Sequence, residues 1–412
     1  MGNIYTGIEL GTNSIKIVVI EKKQDQFYVL ASVSCESLGI RNGQVHDIKM
    51  ATNSVKAAFK KLNDMLGIKI TKVVAAIPPM DCKMDIVVGS VDVVDEEEIT
   101  GTDVSNVLND ALRGQDFEEY ELVTAMPISF KVDDQENILD PKGMSGSLLE
   151  TRVVISTISK ERLYRILEVL KLAGIKTVDI GFTSTGDYYT VKNKKLDGIV
   201  GAIINIGETS TNVSVFNRGI QIKNSLIPVG SRNVDRDISY VFKVSEKDSR
   251  VLKETFAVSM ESYADHNDVV EIKTINGEEK EISQVGVSKV VEARVKEILK
   301  LAKNEIKNLT NREIRYIIIT GGLSELAGFS YLIEDEFGEL AKVCNISTMG
   351  IRHNKYSSVF GIVKYFDDKL ELRGKSYNML NNEDIENLIT TQSRSITNEN
   401  LIGKVFGHFF DN

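Results

Sequence analysis

Two stretches that are far apart in the sequence follow one pattern: IELGTNSIKIVVI from Ile8 to Ile20, and INIGETSTNVSVF from Ile204 to Phe216. In each, a run rich in β-branched residues is followed by a glycine with small polar residues, and a second such run returns. This order is typical of a strand, a tight turn and an antiparallel strand. The repetition predicts two halves of one duplicated unit, each beginning with a hairpin.

The two predicted turns have the donors that a phosphate group needs. Backbone N–H groups of a glycine turn and the hydroxyls of threonine and serine can converge on one anion. A single turn of this kind is usually only a hairpin, but two in equivalent halves can face each other across a cleft. The predicted binding residues are Gly11, Thr12, Asn13, Ser14 and Lys16 around the first turn, and Gly207, Glu208, Thr209 and Ser210 in the second.

A third motif, IIITGGLSELAGF, extends from Ile317 to Phe329. Its apolar run predicts a buried strand that ends in two glycines before a helix, which is where open α/β sheets bind ligands. Glycines there let a flat purine or its phosphates approach the backbone. We therefore expect Gly321, Gly322 and Leu323 to line the same cleft, although a plain strand-to-helix turn explains this motif equally well by itself.

Composition narrows the class of protein. A chain of 412 residues is too long for one ordinary core. Its net charge of −9 gives no chain-wide basic footprint, so no nucleic-acid partner is expected. The three cysteines are scattered, which argues against a zinc site or a disulfide framework. We expect no signal peptide and no membrane-spanning run of about eighteen apolar residues.

The C-terminal residues predict an amphipathic helix over 398–412. Six large apolar residues recur at helical spacing and fall on one face: Leu401, Ile402, Val405, Phe406, Phe409 and Phe410. A polar segment over 374–397 precedes them and predicts a flexible linker. Such a helix can lie in a membrane interface or dock on its own domain, and the three phenylalanines favour the membrane.

These features together resemble the FtsA family of bacterial cell division proteins. The three motifs are similar to the phosphate-1, phosphate-2 and adenosine motifs of the actin, sugar-kinase and heat-shock ATPase superfamily. Residues 84–160 resemble the subdomain that FtsA carries in place of an actin subdomain, and the tail is similar to its membrane-targeting helix. The resemblance implies an α/β, actin-like two-lobed fold of duplicated RNase H-like domains, with a small α+β insertion.

The resemblance also implies boundaries. The first lobe is expected to comprise 1–83, 161–196 and 345–373, interrupted by the insertion at 84–160. The core of the second lobe is expected at 197–229 and 306–344, with a subdomain at 230–305.

ATP and Mg²⁺ are the ligands that the resemblance implies. Glu9 and Asn205 stand where the family holds the metal through water, and Lys253 stands where relatives place a ribose-contacting lysine. The family usually has aspartate where this chain has Glu9 and Asn205, and Asn205 brings no charge. We therefore expect nucleotide binding with weak or absent hydrolysis, and no catalytic residue is assigned.

The implied partners are the C-terminal tail of the tubulin-like protein FtsZ, further copies of the chain in a filament, and lipid at the cytoplasmic face of the membrane. Candidate contacts for the FtsZ tail are Arg232, Arg236, Lys296 and Lys303. An actin-like cytoplasmic component of type IV pilus assembly is the alternative, although it would not need a lipid-binding helix. An enzyme such as a sugar kinase is a third reading, but it calls for acidic phosphate motifs that the chain lacks.

Overall fold

The computed structural model describes residues 2–115, 117–381 and 383–388. The predicted membrane helix over 398–412 lies outside these residues, as does the linker beyond residue 388. Within the described part of the chain, no helix combines the length and the apolar character needed to cross a bilayer.

The first lobe begins with the predicted hairpin. Its elements, in chain order, are β1 (Asn3–Leu10), β2 (Ser14–Lys23), β3 (Gln26–Glu36), β4 (Ile40–Arg41), β5 (Gln44–Val45), α1 (Ile48–Leu66) and β6 (Lys72–Ile77). Helix α1 is capped at both ends. The Asp47 side chain accepts from the Met50 N–H, and Gly67 ends the helix with a φ of 69°.

An inserted subdomain interrupts this lobe. It contains β7 (Lys83–Asp92), α2 (Gly101–Leu112), β8 (Tyr120–Val132), β9 (Gln135–Ile138) and β10 (Leu148–Ser159). The four strands pair in the order β7-β10-β8-β9, and α2 covers the sheet. The chain then returns to the first lobe through α3 (Lys160–Leu172), β11 (Lys176–Phe182) and α4 (Thr183–Val191). Ser159 precedes α3, and its side chain makes no capping bond there.

The second lobe repeats the plan of the first. Its elements are β12 (Val200–Ile206), β13 (Thr211–Asn217), β14 (Ile220–Ile227), α5 (Ser231–Phe242), α6 (Glu246–Val251), β15 (Val269–Lys273), β16 (Glu279–Ser283), α7 (Gln284–Leu309), β17 (Ile317–Thr320), α8 (Phe329–Phe337) and β18 (Ala341–Val343). Helix α9 (Ser357–Leu372) follows and packs back against the first lobe.

The two five-stranded sheets have equivalent topology. Their strand orders are β3-β2-β1-β6-β11 and β14-β13-β12-β17-β18. In each, the first three strands along the chain pair antiparallel, and the last two run parallel to the central one. The predicted duplicated, actin-like architecture is therefore confirmed.

The predicted linker begins later than residue 374. The Met379 N–H donates to the Ile4 carbonyl at 3.0 Å, and the side chains of Leu380 and Leu388 are buried in the first lobe. A few apolar residues in a polar stretch suffice to seat this segment, so the prediction of a free linker is wrong up to residue 388.

Helices α4 and α9 cross where neither has a side chain. A Cβ on Gly361 would lie 1.7 Å from the Gly186 carbonyl oxygen, and a Cβ on Gly186 would lie 2.1 Å from that of Ser358. Since α4 leads out of the first lobe and α9 leads back into it, this close crossing fixes how the two lobes meet.

We predict that Gly361→Ala lowers the free energy of unfolding by about 2 kcal/mol or more, because the added methyl group meets backbone that must shift. Urea denaturation measures this change. Gly198→Ala is the control, since its Cβ would meet nothing within 4 Å. A Gly361→Ala protein as stable as the control would contradict the close crossing.

Candidate functional site

The two hairpin turns have the same backbone geometry. The Gly11 N–H donates to the Ser14 carbonyl at 3.1 Å, and the Gly207 N–H donates to the Ser210 carbonyl at 2.9 Å. Each turn lies at the carboxyl end of the central strand of its sheet, β1 or β12. The remaining donors of both turns are therefore presented in equivalent positions on the two lobes.

A cavity of about 600 Å³ lies between these turns. The structure brings every residue of the predicted site to its wall: Glu9, Gly11, Thr12, Asn13, Ser14, Lys16, Asn205, Gly207, Glu208, Thr209, Ser210, Lys253, Gly321, Gly322 and Leu323. The glycines that follow β17 thus belong to the same cleft as the two turns. A plain strand-to-helix turn, the simpler explanation of that motif, does not account for this placement.

Each side of the cleft holds one half-satisfied carboxylate. Glu9 pairs with Lys16 at 2.7 Å through one oxygen, and Glu208 pairs with Arg250 at 2.7 Å through one oxygen. The second oxygen of each is buried and has no hydrogen-bond partner among the described residues. A buried, unpaired carboxylate oxygen is costly, so both positions suit a ligand that brings donors or positive charge.

Asn205 does not face the cleft as a free ligand. Its amide nitrogen donates to Asp187 Oδ2 at 2.7 Å, and the hydroxyls of Ser357 and Ser358 donate to Asp187 Oδ1 at 2.6 and 2.8 Å. Burial raises the pKa of Asp187 to about 6, although these three bonds lower it. Asp187 therefore joins α4, α9 and β12 at the base of the cleft.

Lys253 is buried and held in place. Its ammonium group lies 2.7 Å from Asp235 Oδ1, and the lysine side chain is 5% exposed. Lys253 is therefore not a solvated surface lysine. Because its charge is already paired, Lys253 is positioned rigidly at the cleft wall.

The four candidate FtsZ contacts are all engaged within the chain. Arg232 and Arg236 approach Glu246 at 3.1 and 3.9 Å. Lys296 pairs with Glu292 and Asp335, and Lys303 pairs with Glu336. None of them is thus a free cation, and a partner would have to compete with these pairs.

Sequence reasoning did not identify Asp187 and Arg250 as site residues. Asp187 lies in the middle of α4 and Arg250 near the end of α6, and the residues around them do not indicate which distant groups they bind. Their roles depend on contacts with distant segments. The sequence offered one indication of Arg250: Glu208 is a carboxylate in a predicted phosphate-binding turn, and such a carboxylate needs a cation nearby.

Comparison with known proteins supports one family. The family model of cell division protein FtsA matches residues 202–361, and the model of the SHS2 domain inserted in FtsA matches residues 81–157. Together the two models cover more than half of the chain. The chain is 26% identical over 377 residues to cell division protein FtsA of Bacillus subtilis, covering 90% of this chain and 85% of that protein.

The chain belongs to the FtsA family of cell division proteins. A second FtsA, from Streptococcus pneumoniae, is 27% identical over 365 residues, which is 88% of this chain and 79% of that relative. The SHS2 match closely overlaps the insertion expected at 84–160 and the β7–β10 sheet. Cell division is thus the process in which members of this family act.

Solved structures of other proteins share the fold. The PilM–PilN type IV pilus biogenesis complex aligns with a TM-score of 0.60 at 14% identity, covering 88% of this chain and 98% of that one. MreB5 of Spiroplasma citri bound to ADP aligns with a TM-score of 0.55 at 13% identity, covering 90% and 98%. These likenesses show an actin-like fold. The pilus alternative has no support beyond that shared architecture.

We predict that Asp187→Asn gains stability relative to the unchanged chain as pH rises. A carboxyl whose pKa is raised on folding stabilises the protein fully only below its unfolded pKa, and this contribution is lost as pH rises through about 6. The difference in unfolding free energy between the two proteins should change by up to about 3 kcal/mol between pH 4 and pH 7. Denaturant titrations at both pH values measure it, and a pH-independent difference would show that Asp187 titrates normally.

Proposed function

We propose that this FtsA family member is an ATP-binding scaffold that links FtsZ filaments to the cytoplasmic membrane at the division site. The observation that carries the proposal is the cleft, in which two equivalent glycine turns and a third glycine pair converge on one cavity. Backbone and hydroxyl donors on both sides suit a chain of phosphates. The FtsA family matches and the ADP-bound MreB5 neighbour favour an adenine nucleotide as the ligand.

Magnesium fits the acidic residues of the cleft. The unpaired oxygens of Glu9 and Glu208 are hard ligands of the kind that a hydrated divalent cation binds through its waters. Bound Mg²⁺ would offset the charge of the phosphates. Asn205, the second expected position, is committed to Asp187, so we assign the metal-facing roles to Glu9 and Glu208.

Slow hydrolysis is part of this proposal, because the acidic groups beside the two turns are already engaged. A hydrolytic enzyme needs a base positioned beside the attacking water. Glu9 is paired with Lys16, and Asp187 is buried behind Asn205. Thr183, at the start of α4, brings only a hydroxyl to the wall. The nucleotide is therefore proposed to stabilise a closed, assembly-competent form, in which copies of the chain associate, rather than to drive rapid turnover.

Membrane attachment is assigned to the six apolar residues of the C-terminal segment. Lys404 is the segment's only basic residue, so attraction to anionic lipid contributes little. A single short apolar helix gives a weak, reversible anchor, and several copies in a filament would bind firmly through avidity.

The FtsZ tail is assigned to the second-lobe subdomain and to the end of α7 that continues beyond it. Besides the four paired candidates, α7 carries Lys300 and Lys307, which make no ion pair within the described part of the chain and lie two helical turns apart on its exposed face. An acidic peptide could bind them without displacing an internal partner. We therefore rank these two lysines ahead of Lys296 and Lys303.

The chain should bind ATP, and removal of one hydroxyl from either glycine turn should lower the affinity for ATP. Ser14→Ala and Thr209→Ala each delete a hydroxyl that makes no hydrogen bond to the described residues, so folding should be unaffected. We expect each to lower ATP affinity about three- to ten-fold, the effect of one lost hydrogen bond. Isothermal titration calorimetry with and without Mg²⁺ measures this.

Thr102→Ala is the matched control for these titrations, because Thr102 lies on α2 in the inserted subdomain. Its affinity should equal that of the unchanged chain. The absence of measurable ATP binding to the unchanged chain, with or without Mg²⁺, would refute the nucleotide-binding proposal.

Liposome binding should depend on apolar contacts in the tail. Phe406→Asp should abolish co-sedimentation with liposomes, because a charge on the apolar face opposes burial. Lys404→Gln should leave binding nearly unchanged, as should moderate salt.

A labelled FtsZ tail peptide should sediment with the unchanged chain and stay in the supernatant with a chain lacking residues 398–412. Loss of liposome binding at moderate salt would contradict a hydrophobic anchor.

A further inference from the structure

Arg250 joins the two turns of the cleft. Its Nη1 donates to Asn13 Oδ1 at 2.8 Å, and its Nη2 lies 2.7 Å from Glu208 Oε1. Asn13 belongs to the turn of the first lobe and Glu208 to that of the second. One guanidinium group therefore spans the opening between the lobes.

The arginine is braced from the second lobe. Its Nε lies 3.6 Å from Asp235 Oδ2, and the other Asp235 oxygen binds Lys253 at 2.7 Å. Asp235 is buried, and its charge attracts the Arg250 guanidinium from the side of the second lobe. About a third of the arginine side chain is exposed, and it lies behind the cavity wall rather than in it. Arg250 therefore acts on the cavity through Asn13 and Glu208.

Arg250 binds a carboxylate, Glu208, in its own lobe and a neutral amide, Asn13, in the other lobe. Glu208 brings a carboxylate into a turn that is proposed to hold phosphate, and a bare carboxylate there would repel phosphate. Arg250 neutralises that charge within the second lobe. Of the bonds of Arg250, the one to Asn13 crosses between the lobes. A hydrogen bond from a charged donor to a neutral amide is strong enough to favour the closed cleft, yet weak enough to break when the cleft opens.

We propose that Arg250 is a clasp that holds the cleft closed through Asn13 and so limits the rate at which nucleotide leaves. This inference rests on the proposed function for its ligand, a nucleoside triphosphate, but the clasp itself is a property of the unliganded chain. Arg250 is a positioning residue, since it contacts the residues that line the site and not the cavity. When the cross-lobe bond breaks, α4 and α9 remain joined and the lobes separate at the turns.

Release of a fluorescent ATP analogue from the full-length chain tests the clasp by stopped flow. Arg250→Gln and Asn13→Ala, the clasp variants, should each release the analogue about ten-fold faster, the effect of one charged hydrogen bond that is partly exposed. The double variant should release the analogue no faster than Arg250→Gln alone, because Arg250→Gln already breaks the bond to Asn13. Arg294→Gln is the control, since Arg294 pairs with Asp237 within the second lobe.

Two outcomes of the release assay would overturn the proposal. If Arg250 only neutralises Glu208, Asn13→Ala will release at the unchanged rate while Arg250→Gln does not. If Asn13 acts by binding phosphate directly, the effects of the two clasp variants will multiply in the double variant.

Spin-label distances in the absence of nucleotide separate the clasp from the proposed function. Labels at Lys60→Cys on α1 and Tyr240→Cys on α5 report the lobe separation after Cys35 and Cys82 are replaced by serine. Labelled protein is diluted with unlabelled protein, so that only distances within one chain are read. The unchanged chain and the control should give one narrow distribution, and both clasp variants should give a broader one with a different mean.

Identical distributions in all four proteins would overturn the clasp even if nucleotide binds. If the analogue does not bind to any protein, the proposed function fails, and the distance distributions alone decide whether the clasp exists.

Discussion

The crossing of α4 and α9 is the constraint on which the rest of the structure depends. Gly186 and Gly361 let the two helices approach to backbone contact. One residue on, Asp187 accepts bonds from Ser357 and Ser358 on α9 and from Asn205 at the end of β12. The carboxyl ends of the two central strands are thereby held on either side of one cavity. Without this contact, the two turns would be separate hairpins on separate domains.

The local features of the molecule were predictable from the sequence. The twin hairpins, the bounds of α1 and the β17 glycines follow from β-branched runs, caps and turn residues that act within a few positions. The convergence of all three motifs required the added assumption of duplication. The long-range contacts were not predictable, because nothing near Asp187 or Arg250 marks their partners. Residues 376–388 read as a linker since their apolar residues are too sparse to show a period.

The cleft keeps the geometry of a phosphate site while its charges are rearranged. Asn205 stands where the family usually has a carboxylate, and it donates to Asp187 at the crossing of α4 and α9. Glu208 adds a carboxylate to the second glycine turn, where Arg250 neutralises its charge. These substitutions leave the backbone donors in place, so under the proposed function they would affect turnover more than binding. A nucleotide that is held and slowly released would suit the proposed role of an assembled scaffold.

Hydrogen–deuterium exchange of the full-length chain, with and without ATP and Mg²⁺, tests the central claim that both lobes grip one ligand. If both lobes grip one ligand, ATP should slow exchange together in residues 11–14, in residues 207–210 and around Gly321–Gly322, with no change in the inserted subdomain. Protection confined to one lobe, or none in any of the three segments, would contradict it.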